Sequence, residues 1–235
     1  MKAAILTTGN EILSGQIHES NQYYIARELT KMGVEIISAA VLPDDIRTIA
    51  DYVRSHHKKV DFFFISGGIG STHDDVTRPA VARALRLPLK RHKQFAKILK
   101  DFYGKRLNAA RIRMADLPDG AALIIPQKYS GAPGFRINNI YVFAGIPQLM
   151  REMFKTVKKT IQKVPSFHTT IHTTKREGDF ADALHKIQRR HPAVSIGSYP
   201  YFWEKKLGGK LVIRSRIPEP LHKATADIRR MLKSI

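Results

Sequence analysis

Cysteine is missing from this chain altogether. That excludes a disulfide framework and any thiolate metal site, and makes a cytoplasmic setting the simplest expectation. Acidic residues are scarce too: 20 Asp and Glu stand against 40 Lys and Arg, a formal net charge of +20. No apolar run is long enough to cross a bilayer, and the apolar start is interrupted by Gly9 and Glu11 too soon for a signal peptide. No membrane partner is expected. The excess positive charge is heaviest at the end, with 18 basic residues against 6 acidic ones from Lys155 onward. Such charge suits a polyanionic partner. Yet no RNA-binding aromatic signature, zinc-finger spacing or basic low-complexity tail accompanies it, so it reads as general basicity and a nucleic-acid partner is not expected.

What remains is an ordinary soluble composition, 43% apolar and 26% charged, over 235 residues. That is enough for one large domain or a medium one plus a small one. One stretch carries the most chemistry. Residues 60–65 are mostly β-branched or aromatic and read as a buried parallel strand. Gly67, Gly68 and Gly70 then end it, and Val76, Ala80, Ala84 and Leu87 fall at helical spacing in a helix expected over 74–87. Strand, glycine loop and helix in that order let backbone N–H groups meet an anion at the positive end of a helix. Asp74 and Asp75, in the expected first helical turn, would repel a bare phosphate. A divalent cation bridging carboxylate and phosphate resolves that conflict. The same residues also fit plain capping, with Thr72 as cap and Asp75 completing a capping box. Residue spacing alone leaves both readings open.

Around this stretch the chain alternates. Strands are expected at 2–8, 34–42 and 60–65, with helices at 22–32, capped by Ser20 or Asn21, and from 46 to about 57. His56 and His57 are placed on the solvated end of the latter. Crossovers of about thirty residues argue for right-handed parallel α/β packing. They put the polar loop 9–21 and the glycine loop at the same carboxyl edge, where Glu11 and Asp75 could share one cleft. An amphipathic helix is expected over 90–106 from Phe95, Ile98, Leu99 and Phe102. Short strands follow at 121–125, 134–137 and 140–143, then a helix at 148–163. Beyond Pro165 a small two-layer α+β unit is expected, with strands at 169–174, 194–198 and 210–215 and helices at 179–190 and 220–233.

The glycine stretch, Ser66-Gly67-Gly68-Ile69-Gly70-Ser71-Thr72-His73-Asp74-Asp75-Val76-Thr77, closely resembles the signature of the molybdopterin-binding-like (MoaB/Mog) fold family. Within it, the match is to the N-terminal domain of competence/damage-inducible protein CinA and of eukaryotic FAD synthase. Thr8-Gly9-Asn10-Glu11-Ile12-Leu13-Ser14-Gly15 with Asn21, Gly131-Ala132-Pro133-Gly134-Phe135, and Gly145-Ile146-Pro147 with Met150 follow in the family's order. Glu177-Gly178-Asp179-Phe180 and Ile196-Gly197-Ser198-Tyr199-Pro200 are similar to its small α/β domain. The resemblance implies an α/β fold, a three-layer mostly parallel sheet over residues 1–164, followed by a small α+β domain over 165–235. The sequence has no room for the amidase domain of full-length CinA proteins or the adenylyl-transfer domain of FAD synthase, so a stand-alone version is expected and neither activity is assigned.

The resemblance also implies roles. Gly67, Gly68, Gly70 and Thr72 would hold phosphates, with Asn10, Gly145 and Pro147 completing the pterin or nucleotide pocket. Asp75 and Glu11 would be catalytic, and Asp75, Asp74 and Glu11 would bind a divalent metal, Mg, Mn or Co. Three positions depart from the family's habit: Asn10 replaces a frequent Asp, and Ser71 and Ala144 replace usual prolines. The expected function is metal-dependent hydrolysis of the pyrophosphate bond of a nucleotide such as ADP-ribose or FAD. The alternative is non-catalytic binding of molybdopterin or a related phosphorylated ligand. Relatives of this fold associate, so a homo-oligomer, dimer or trimer, is expected.

Overall fold

A computed structural model describes residues 1–128, 132–203 and 206–235. Gly131 of the Gly131-Ala132-Pro133-Gly134-Phe135 motif lies outside them. Two compact units are present, Met1–Gln162 and Lys163–Ile235.

In the first unit the elements are β1 (Lys2–Thr8), the single turn α1 (Asn10–Leu13), α2 (Asn21–Lys31), β2 (Glu35–Leu42), α3 (Ile46–His56), β3 (Phe62–Ser66), α4 (Thr77–Leu85), β4 (Leu89–Arg91), α5 (Lys93–Tyr103), α6 (Ala109–Ile112), β5 (Asp116–Pro118), β6 (Ala122–Ile124), β7 (Gly134–Ile137), β8 (Ile140–Phe143) and α7 (Pro147–Lys158). Six strands form one sheet in the order β2-β1-β3-β8-β7-β6. The pairs β2–β1, β1–β3 and β3–β8 are parallel, and β8–β7 and β7–β6 are antiparallel. Ala3 to Thr8 of β1 and all of β8 are buried without alternation, as strands covered on both faces must be. Helix α3 packs against α4, and α2 against α7. Stacked and edge-on rings of Phe64, Tyr141, Phe143 and Phe154 fill the core on one side of β3 and β8.

Several local expectations change. The helix expected from Lys90 begins at Lys93, because His92 Nδ1 accepts the Phe95 amide and residues 89–91 pair with 116–118 as a small ribbon. Phe102, placed on the apolar face by spacing, is 56% exposed. His57 is buried, and burial holds its imidazole below the usual value, while the His56 ring stacks on Tyr52 at 4.0 Å. Neither Ser20 nor Asn21 caps α2 through its side chain. Glu19 Oε1 does so, accepting from the amides of Asn21 and Gln22 at 2.9 and 2.8 Å.

The second unit runs β9 (Phe167–Thr173), α8 (Glu177–Arg190), β10 (Val194–Trp203), β11 (Lys206–Ser215) and α9 (Pro218–Ser234). Its antiparallel sheet has the order β10-β11-β9. Phe180, Ile187, Leu211, Ile213, Leu221 and Ile228 form a core between one sheet face and the two helices. Strand β10 continues past the expected end at 198 because, as an edge strand, it tolerates Pro200.

In the first unit, Glu28 of α2 accepts 2.7 Å hydrogen bonds from Lys31 and from Lys158 of α7. The two ammonium groups, Lys158 foremost, lower its pKa from 4.5 to about 2. A depressed carboxylate pKa stabilises the fold above 4.5, and that contribution fades as pH falls toward 2. Urea unfolding of Glu28→Gln is therefore expected to show a loss of about 1–2 kcal/mol at neutral pH. The gap to the native chain should close in acid; a gap that is independent of pH would contradict the account.

Candidate functional site

Strand β3 delivers the chain into a loop that its neighbours force to be glycine. Gly67 has φ 107° and Gly68 φ 66°. A Cβ on Gly67 would meet the Thr8 carbonyl oxygen at 2.4 Å, and one on Gly68 would meet Thr77 Oγ1 at 2.3 Å. The loop then closes on one carboxylate. Asp75 Oδ1 accepts from the Gly70 amide at 2.6 Å, and Oδ2 accepts from the Thr72 amide at 2.8 Å and from the Thr72 hydroxyl. Helix α4 consequently begins at Thr77 rather than Asp74, so Asp74 and Asp75 are loop residues. The capping-box reading holds only in its reciprocal half, the Thr72 amide donating to Asp75; the Thr72 hydroxyl also donates to that carboxylate instead of accepting the Asp75 amide, and Thr72 does not cap α4.

Below the loop lies Arg78, on the first turn of α4 and only 7% exposed. Its guanidinium donates to the Ile69 and Gly70 carbonyls. Burial lowers its pKa, and the charges of Asp75 and Asp116 work against that. With two carbonyls drawn back toward Arg78 and the Gly70 and Thr72 amides spent on Asp75, the loop's hydrogen bonding is largely internal. The amides of Gly68, Ile69 and Ser71 have no partner among the described residues. The sequence reading assigned phosphates to Gly67, Gly68, Gly70 and Thr72; of these, Gly67 donates to the Phe143 carbonyl at 3.1 Å. Only the Gly68 amide of that set is unspent.

Two more loops meet this one. Asn21, 5% exposed at the start of α2, donates through Nδ2 to Ser66 Oγ at 2.8 Å and to the Gly145 carbonyl at 2.6 Å. It thereby fastens the first loop to the ends of β3 and β8, leaving its own Oδ1 buried without a partner. Gly145 faces Gly67 closely, a Cβ on it standing 3.5 Å from the Gly67 Cα. Asn10 exchanges hydrogen bonds with Asp44, its amide donating to the Asp44 carboxylate at 2.9 Å and its Oδ1 accepting from the Asp44 amide at 3.3 Å.

The three loops enclose a cleft of about 580 Å³. Glu11, Asp74 and Asp75 all line it, as do Gly67, Gly68, Gly70, Thr72, Gly145 and Pro147. Asn10 does not; it shapes the wall by holding Asp44, which does. Asp44 was missed in the sequence, where Pro43-Asp44-Asp45 reads only as the lead into α3. The carboxyl of Asp44 is pushed up by burial first and then by the charges of Glu11, Asp74 and Asp75, with the Asn10 amide working against them. Three carboxylates thus act on Asp44 across the cleft, and none of the four has an ion-pair partner among the described residues.

This donor set fits a hard cation in part. Among the described residues no three acids or histidines are gathered closely enough to cage an ion unaided. Mg²⁺ is commonly held through one or two carboxylates plus substrate phosphates, and that manner of binding suits a cleft lined by both free amides and carboxylates.

Residues 4–163 match the family model described as a probable molybdopterin binding domain. The chain belongs to this molybdopterin-binding family. Residues 165–235 match a second model, the middle domain of FAD synthase. A protein of Archaeoglobus fulgidus is 34% identical over 200 residues, covering 85% of this chain and 86% of its own. A CinA-like protein of Frankia casuarinae is 30% identical and covers 80% of this chain but 44% of its own length. A probable FAD synthase of Caenorhabditis elegans is 28% identical over 98% of this chain and 50% of its own. The chain therefore spans about half the length of these CinA-like and FAD synthase relatives. Among solved structures, CinA of Thermoplasma acidophilum superposes with a TM-score of 0.64 at 28% identity, covering 69% of this chain and 99% of that one. The molybdopterin-binding-like α/β fold is thus shared by sequence and by shape. No helix among the described residues is long and apolar enough to cross a membrane.

In this family member the acidic wall makes a measurable claim. A carboxyl-carbon NMR titration should place Asp44 above the ordinary 3.8, and Glu11→Gln should bring it down. An Asp44 midpoint indifferent to Glu11→Gln would mean the two carboxylates do not share the cleft's field.

Proposed function

We propose that the cleft binds a nucleotide through its diphosphate and hydrolyses the pyrophosphate bond with the help of a divalent cation, in a cytoplasmic enzyme. The observation that supports this is the pairing of unspent loop amides with four unpaired carboxylates on one cleft. The Gly68, Ile69 and Ser71 amides meet phosphate oxygens and receive the charge that develops on them. Arg78, donating to the Ile69 and Gly70 carbonyls, fixes the peptide unit that carries the Ser71 amide and adds a buried positive charge behind the loop. Glu11, Asp44 and Asp74 face the cation, Mg²⁺, Mn²⁺ or Co²⁺, which when bound neutralises the diphosphate and makes a water more acidic. Asp75 uses three of its roughly four acceptor positions on the loop, so it holds the loop first and has one lone pair left for the cation.

In this reading Glu11, half-exposed on α1, takes the water's proton. The water oxygen bonds to one phosphorus, and the bond from that phosphorus to the bridging oxygen breaks. Two monophosphates leave, AMP with ribose 5-phosphate from ADP-ribose, or AMP with FMN from FAD.

A second reading, holding of molybdopterin or a related phosphorylated pterin without turnover, is favoured by the family description and by the lack of a preformed metal cage among the described residues. Incubation with ADP-ribose or FAD and each metal in turn separates the two. The hydrolytic reading expects AMP, with Glu11→Gln and Asp74→Asn each lowering kcat/KM about a hundredfold. No AMP with any of the three metals, or variants as active as the native chain, would remove it; tight pterin binding without AMP would select the second.

A further inference from the structure

One face of the second unit's sheet packs on α8 and α9; the other carries a composition that the cleft chemistry does not use. The register fixes who lies there. Across β9, β11 and β10 run the rows His168–Arg214–Ser195, Thr170–Val212–Gly197 and His172–Lys210–Tyr199, followed by Gly208 opposite Tyr201. Tyr199 and Tyr201 are 48% and 37% exposed. His168, Thr170, His172, Ser195 and Lys210 are exposed as well.

The two tyrosines do not stand off the sheet. Each lies against a glycine: a Cβ on Gly197 would meet the Tyr199 ring at 2.8 Å, and one on Gly208 would meet the Tyr201 ring at 2.7 Å. The His172 ring packs edge-on beside Tyr201 at 6.1 Å. Glycine under each ring lets the aromatics settle onto the strands and present ring surface outward. Lys210 lies opposite Tyr199 and Arg214 opposite Ser195 further along the same face, and no carboxylate lies on that face among the described residues. Aromatic surface for stacking, cations for phosphates and no opposing acid together match an unpaired polynucleotide; a protein partner would be chosen for by mixed charge, and duplex bases could not reach the rings.

We propose that this sheet face binds single-stranded nucleic acid, with bases stacking on Tyr199 and Tyr201 and phosphates on Lys210 and Arg214. The sequence reading set such a partner aside for want of an aromatic signature. That signature became visible only once β10 was seen to run through Pro200, which puts Tyr199 and Tyr201 on one face. The inference does not depend on the cleft's activity.

The test uses the full chain with fluorescein-labelled U10 and dT10, read by anisotropy. Both oligonucleotides are expected to bind, without competition from ADP-ribose. Tyr199→Ala and Tyr201→Ala should each weaken binding about fivefold or more, and Tyr199→Phe and Tyr201→Phe should leave it within about twofold, since the ring does the stacking. Lys210→Ala and Arg214→Ala should each flatten the slope of log affinity against log salt by about 0.7. Absence of binding at low salt, equal affinity for duplex DNA, or an unchanged affinity in the Tyr199→Ala, Tyr201→Ala double variant would each overturn the proposal. So would sedimentation showing that this face instead pairs two copies of the chain, with the double variant monomeric.

Discussion

The clasp made by Asp75 is the constraint on which the cleft depends. A loop of small residues leaving a strand has no reason of its own to hold one shape, and glycine at positive φ widens its choices. The carboxylate removes that freedom by collecting two amides and a hydroxyl, while Arg78 pulls from beneath on the Ile69 carbonyl, in the same peptide unit as the Gly70 amide, and on the Gly70 carbonyl. Donors and acceptors are thus sorted: most are satisfied within the loop, and the Gly68, Ile69 and Ser71 amides are left over in residues that line the cleft. A loop held this way is pre-organised, so little ordering would remain to oppose binding.

The sheet decides what shares that cleft. Because β1, β3 and β8 are adjacent and parallel, their carboxyl ends release three loops side by side. The buried hydroxyls of Thr8 and Ser66 occupy the last turns of that edge, where Thr8 meets Thr77 Oγ1 at 3.1 Å and Ser66 accepts from Asn21. Polar side chains buried here are tolerated because each has a partner. The exception is the Asn21 oxygen, a cost retained at the junction of all three loops. The cleft then sets unlike groups against one another: free amides, Asp74 and Asp75 on the glycine loop, with Arg78 behind them, and Glu11 and Asp44 from the other loops.

Much of this was legible in the chain. Continuous apolar runs marked the covered strands, and alternation of strands with helices put Glu11 and Asp75 at one edge, where the structure has them both on the cleft. What could not be read was direction and partnership. Thr72 and Asp75 at capping spacing do not say which accepts from which, and the reversal moved the start of α4 by three residues. Arg78 looks like an exposed helix residue until its burial is known. Asp44 sits in a turn whose composition suggests only a turn, and its place on the cleft follows from its exchange of hydrogen bonds with Asn10 across 34 positions. Long-range pairing of that kind leaves no local pattern.

The same distinction separates the two units. In the first, charges of both signs are drawn inward around one cleft, and the fold spends its glycines on closing a loop. In the second, glycines under Tyr199 and Tyr201 flatten one sheet face, and among the described residues of that face the charge is outward and positive. A net charge of +20 is therefore not one property with one cause. The positive element that serves the cleft is a single buried guanidinium working through backbone carbonyls, whereas the surplus toward the end of the chain is surface charge, effective at a distance and weakened by salt. Counting charges along the sequence weights the second kind heavily and the first hardly at all. A buried arginine that fixes two peptide units of one loop can therefore shape a cleft while contributing one part in forty to the basic residues that the sequence displays.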